Sequence, residues 1–145
     1  MARGDVTVFE EAKAIMLDGD WASTDDFYCA ICDNTATPAA ADGAPVIGDY
    51  TQVGNGGTYV TNGTNLGALS VLVAEAGGVM TFDSATNPTW AQDPGNDVDA
   101  WWGIIYNFTD AGKQCLAFIE LDGPVDMQAG DLTITWNVSG IFTIT

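Results

Sequence analysis

Four short runs near the end of this 145-residue chain most constrain what it can fold into. They are Trp101-Trp102-Gly103-Ile104-Ile105-Tyr106, Gln114-Cys115-Leu116-Ala117-Phe118-Ile119-Glu120-Leu121, Asp131-Leu132-Thr133-Ile134-Thr135-Trp136 and Ile141-Phe142-Thr143-Ile144-Thr145. Each is rich in β-branched and aromatic residues, and Asn, Asp and Gly fill the gaps. Such side chains pack well on a pleated, half-buried surface, so the pattern predicts consecutive antiparallel strands. In the third run Leu132, Ile134 and Trp136 alternate with Asp131, Thr133 and Thr135, which predicts one buried and one wet face. The first two runs are apolar on both faces and belong at the centre of a sheet or under a second layer.

Upstream, Val8, Phe9, Ala12, Ile15 and Met16 recur at helical spacing. Thr7 and Glu10 have the spacing of a capping box, and Gly19 is a stop signal. The pattern predicts a helix over 8–18 behind a short arm, 1–6. A strand follows at 27–32. Residues 33–49 form a long connection in which Pro38 and Pro45 oppose regular structure. Short strands are expected at 50–53 and 58–61, with Asn62-Gly63 as a tight turn. Residues 66–76 and 79–83 read as a hairpin about Gly77-Gly78, with Leu69, Val71 and Val73 on one face. Its uncharged, β-prone window at 69–74 is the main aggregation liability if exposed. One helix and eight or nine strands with no internal repeat give an all-β fold. The expectation is a single domain, 1–145, built as a jelly-roll-like antiparallel β-sandwich with one short N-terminal α-helix.

Charge narrows the function. With 3 basic and 20 acidic residues the net charge is -17. Nucleic-acid binding needs Lys and Arg to neutralise phosphate, so nucleic acid and anionic membranes are excluded as partners. The chain contains no histidine, which removes the commonest general base and transition-metal ligand. No Gly-rich loop carries a phosphate-binding Lys. The acidic residues lack the neighbouring cations that separate the pKa values of a glycosidase pair. A non-enzyme without cofactor or metal is expected. Cys29 and Cys32 have the spacing of half a zinc site or a redox pair, but Cys115 is the one further cysteine and the motif lies in a strand. On a strand the two point to opposite faces, so all three are read as buried, reduced thiols. The acidic stretch Asp93 to Asp99 matches no EF-hand spacing. A carbohydrate-binding module is the rival to a structural protein, with Trp21, Tyr59 and Trp90 as candidate sugar platforms beside loops.

Four stretches carry a likeness. They are Gly4-Asp5-Val6-Thr7-Val8-Phe9, Ile31-Cys32-Asp33-Asn34-Thr35-Ala36-Thr37-Pro38, Trp101-Trp102-Gly103-Ile104-Ile105-Tyr106-Asn107 and the segment from Ala129 to Ile141. Nearly end to end, the chain resembles a family of small virion proteins of tailed bacteriophages, whose members usually carry a plain aliphatic residue where Cys29 and Cys32 stand. The resemblance implies a capsid decoration, or cement, protein, made in the host cytoplasm and clipped onto the outside of a shell of major capsid protein. A tail- or fibre-associated component is the alternative. It also implies a homo-oligomer, a trimer at local three-fold positions or else a dimer. The candidate contacts are Ala2, Arg3 and Asp5 of the arm, Pro38, Pro45, Val46 and Ile47 of the long connection, and Trp90.

Overall fold

The computed structural model describes residues 4–144. Its elements in chain order are β1 (Val6–Val8), α1 (Glu10–Asp18), β2 (Asp26–Cys32), β3 (Thr64–Ala68), α2 (Leu69–Leu72), β4 (Val73–Ala76), β5 (Val79–Phe82), β6 (Thr89–Trp90), β7 (Ala100–Asn107), β8 (Cys115–Val125), β9 (Leu132–Thr133) and β10 (Phe142–Ile144). A single 3-10 turn, Ile47–Asp49, lies between β2 and β3. Every pairing is antiparallel. The main sheet runs β1-β8-β7-β2-β3, a small sheet runs β10-β5-β4, and β6 pairs with β9. The all-β antiparallel sandwich expected from the sequence is therefore what forms.

The runs that are apolar on both faces take the middle of the main sheet. In β7 every residue except Trp101 is buried, and in β8 Cys115, Leu116, Ala117, Phe118 and Ile119 are all buried. Antiparallel partners share a face. One face of the main sheet carries Trp102, Ile104 and Phe118, where Phe9 and Trp102 pack on the Phe118 ring. The other carries Phe27, and Phe27 meets Phe82 of the small sheet edge-on, ring centroids 5.8 Å apart. The two sheets thus clamp the Phe27–Phe82 pair between them, and a second aromatic cluster covers the opposite face of the main sheet.

Five expectations fail locally. Val6, Thr7 and Val8 form a strand on β8, in register with Ile119, Phe118 and Ala117, in place of arm and helix start. The helix begins at Glu10 with Phe9 as N-cap and no side-chain cap, so the Thr7–Glu10 capping box does not form. β-branched Val6, Thr7 and Val8 favour the extended edge, and the open edge of β8 supplies the partner. The C-terminal signal holds: Gly19 is left-handed, φ 76°, and its N–H bonds the Ile15 carbonyl. The expected strand at 66–76 is broken by α2. Leu72 there is 2 % exposed and Val71 78 % exposed, so the alternation assigned to this run is wrong. Residues 50–53 and 58–61 make only an isolated bridge between Cys32 and Gln52. The last two runs leave the main sheet, β9 joining β6 and β10 joining β5. The alternation in β9 and beyond does hold, with Leu132 and Ile134 buried and Asp131, Thr133 and Thr135 exposed. No described helix is long and apolar enough to cross a membrane.

Candidate functional site

The contact residues expected from the sequence fall into three groups. Ala2 and Arg3 lie outside the described residues, and Asp5 is exposed. Beyond Asp5 the arm is already sheet, and at Gly4 the N–H donates to the Glu120 carbonyl at 2.8 Å. The long connection is not a mobile surface loop. It is stitched to the body at both flanks. Glu10 N–H bonds Ala40 O, Cys115 N–H bonds Pro45 O at 2.8 Å, Ile47 N–H bonds Lys113 O, and Val46 bridges Gln114. Glu11 accepts the Ala44 N–H and Asn34 the Trp102 indole N–H, each through its side chain. Pro38, Pro45 and Ile47 are consequently buried and Val46 half-buried. Trp90 is 4 % exposed, its ring packed at a tilt against Tyr59 with centroids 5.9 Å apart. Pro38, Pro45, Ile47 and Trp90 are therefore spent inside this chain and offer a partner little surface. The same burial takes Trp21 and Tyr59, which leaves the sugar-platform reading without its rings.

The titratable groups are equally committed. Cys29 faces Ile105 and Cys32 faces Trp102, so the two thiols point to opposite sides of β2, as the spacing predicts. All three cysteines are free and buried. Burial pushes the Cys29 and Cys115 thiols far up, and burial with the Asp33 charge beside it pushes Cys32 up to about 12. Thiolate chemistry is suppressed there. In the acidic loop the carboxylates are taken up by N–H groups of this chain. Asp93 Oδ1 accepts Gly95 N–H at 2.8 Å, Asp97 Oδ2 accepts Gly54 N–H at 3.0 Å, and Asp99 Oδ1 accepts the Trp101 indole N–H at 2.7 Å. The Gly54 bond in particular holds the Asp97 carboxyl below the usual range. Among the described residues no three His, Cys, Asp or Glu side chains gather as a metal-holding group.

What remains for recognition is surface shape. At one end a cleft of about 180 Å³ opens among Gly4, Val6, Leu121, Leu132, Ile134 and Trp136. Trp136 is half-buried, pinned by its indole N–H to the Thr86 carbonyl at 2.7 Å and by its backbone N–H to Asn87 Oδ1 at 3.1 Å. Next to it Asn137 and Gly140 close a tight turn. Gly140 N–H bonds Asn137 O at 2.9 Å, Ser139 N–H bonds Asn137 Oδ1 at 2.9 Å, and Ile141 N–H anchors the turn to Phe82 O. Val138 stands at its tip, 102 % exposed. Comparison with family models, with curated proteins and with solved structures finds no match. The surface must therefore be read from its own chemistry. A rigid turn that holds an aliphatic side chain wholly in water presents apolar area at no ordering cost, which is how a docking knob is built. Val138 is not among the contacts expected from the sequence. Its signal was a lone aliphatic residue among the turn formers Asn137, Ser139 and Gly140.

Proposed function

We propose that this protein is a bacteriophage capsid decoration protein, a non-enzymatic homo-oligomer that binds the outer surface of a shell of major capsid protein and stabilises the head. The class rests on the sequence resemblance. The binding face rests on one observation, the fully exposed Val138 on its hydrogen-bonded turn, two residues past Trp136, which lines the cleft shared with Gly4 and Asn137. Three physical features support the reading. The body is a stiff two-layer sandwich whose loops are bonded down, which suits a part that must survive outside a cell. The surface is strongly acidic, so the protein avoids the genome and keeps particles apart. Weak single contacts repeated around a shell add up through multivalency, so a small apolar knob per copy is enough.

The test is addition of purified protein to expanded, empty shells, read by co-sedimentation and by the temperature at which the shells fall apart. Bound shells should resist heat better. Val138→Asp, at an exposed turn position that leaves the fold alone, should weaken shell binding about tenfold or more. Protein that ignores shells and pellets with purified tails refutes the head assignment in favour of the tail alternative.

A further inference from the structure

We propose that a second copy of this chain docks across a two-fold axis on the apolar face left open between α1 and the small sheet. The face follows from the pleat. Ile144 stands opposite Met80 and Met80 opposite Glu75, so their side chains form one row on one side of β10, β5 and β4. Two residues on, Phe142, Phe82 and Val73 form the next row on the same side. Phe82 is fully buried against Phe27. This is therefore the inner side of the sandwich, and the Met80 row overhangs the core. On α1, Lys13 and Leu17 lie one turn apart and share a cleft of about 580 Å³ with Glu75, Met80 and Ile144. Leu17 is 86 % exposed and Ile144 37 % exposed. An interior row that the chain itself does not cover gains from being taken out of water by a partner.

Charge selects the partner. Across most of this acidic surface a second copy is repelled. The cleft differs. Among the described residues Lys13 is the one exposed cation. Lys113 is half-buried, with its ammonium donating to Phe108 O at 2.9 Å and lying 3.8 Å from the centre of the Phe108 ring. Lys13 has no hydrogen-bond or ion-pair partner among the described residues. On the same cleft Glu75 uses Oε1 to accept the Gly78 N–H at 2.8 Å, leaving Oε2 open. A cation and an anion on the rim of one apolar cleft make the patch complementary to itself. A two-fold axis sets Lys13 of each copy against Glu75 of the other, and Leu17 against Met80 and Ile144. A purely acidic partner would meet Glu75 unpaired, and a basic one would meet Lys13. The pairing selects the dimer over the trimer among the oligomers expected from the sequence, and it stands or falls separately from the capsid reading.

Sedimentation velocity of the free protein over a wide concentration range tests this without shells. The native chain should show a monomer–dimer equilibrium. Leu17→Asp should raise the dissociation constant about 100-fold, about tenfold for each of the two copies of the side chain. Lys13→Glu should also weaken pairing. Adding Glu75→Lys to it should restore the native constant to within about threefold. Adding Asp122→Lys, a change on β8 outside the cleft, should not, which separates local pairing from net charge. Lys13 and Leu17 are exposed, so circular dichroism should be unchanged in their variants, and Tm should match the native value at concentrations low enough that the native chain is also monomeric. A monomer at every concentration, a trimer, or equal rescue by Asp122→Lys overturns the proposal.

Discussion

Replacing Asn96 by Ala tests the claim that buried hydrogen bonds hold the loops at one end of the sandwich. Asn96 is 2 % exposed. Its Oδ1 accepts the buried Tyr59 N–H at 3.1 Å. Its Nδ2 donates to Thr58 Oγ1 at 3.0 Å, Ala91 O at 2.9 Å and Met127 O at 3.2 Å. One amide therefore joins three segments distant in sequence. Truncation spares the backbone bonds of Asn96 to Asp93 and Gln128, and Thr58 keeps its own bond to Ala91 O. The Tyr59 N–H is left buried without an acceptor, at a cost of about 2 kcal/mol. Met127 O retains a long bond from Asp93 N–H, so its loss is about 1 kcal/mol. The expected sum is about 3 kcal/mol, a substantial share of a domain's usual 5–15 kcal/mol. At about 3 °C per kcal/mol, Tm should fall by about 9 °C. Urea unfolding followed by tryptophan fluorescence reads the change, with the slope against urea unaltered. Asn96→Asp should be worse than Ala at neutral pH, because a buried carboxylate then faces the Ala91 and Met127 oxygens. Burial raises that carboxyl's pKa, so its deficit should shrink as falling pH protonates it. A loss below about 1 kcal/mol for Asn96→Ala, with the slope unchanged, refutes the reasoning.

Gly63→Ala should cost more than about 4 kcal/mol or abolish soluble expression. Its φ is +80° and a Cβ there would collide with the Cys29 carbonyl oxygen, a backbone atom of the interior strand β2; native-like urea unfolding of the variant contradicts this. Asp97 has a depressed folded pKa, so its contribution to stability is present above about pH 4 and is lost as pH falls through the folded value. Asp97→Asn should therefore flatten the decline in urea midpoint between about pH 5 and about pH 2, and an unchanged profile argues against that role. Native protein at mildly alkaline pH should alkylate at its three cysteines at least about 100-fold more slowly than protein in urea. Rapid native modification, or a Cys29–Cys32 disulfide seen by intact mass, contradicts burial of reduced thiols.

Legibility in the sequence followed how local each element's cause was. Runs such as those in β2, β7 and β8 announce themselves, because apolar side chains on both faces leave a short segment few places but the middle of a sheet. β1 does not. Val8, Phe9, Ala12, Ile15 and Met16 keep helical spacing, and only the distant edge of β8 turns Val6, Thr7 and Val8 into a strand. Likewise nothing near Leu69 signals that one turn of helix will tuck Leu72 inward and leave Val71 in water. Which side chains stay exposed was harder still. Prolines and a tryptophan between the strong runs look available, yet Pro38, Pro45 and Trp90 are all buried, with Pro45 bonded to Cys115 and Trp90 paired with Leu132 far along the chain. Exposure is set by what a loop folds against, and single-residue chemistry does not encode it.

The strand order of the main sheet also sets a timetable. β1 lies beside β8 and β5 beside β10, so the earliest strand has no strand partner until residues 117–119 have been made, and the small sheet stays incomplete until Ile144. Each pairing closes a large loop of chain before it gains any contact energy. A growing chain cannot lock these strands piece by piece during synthesis. Acquisition of the native form is consequently late and slow, on the millisecond-to-second scale of non-local β topologies, with the β-prone window at 69–74 uncovered in the interval.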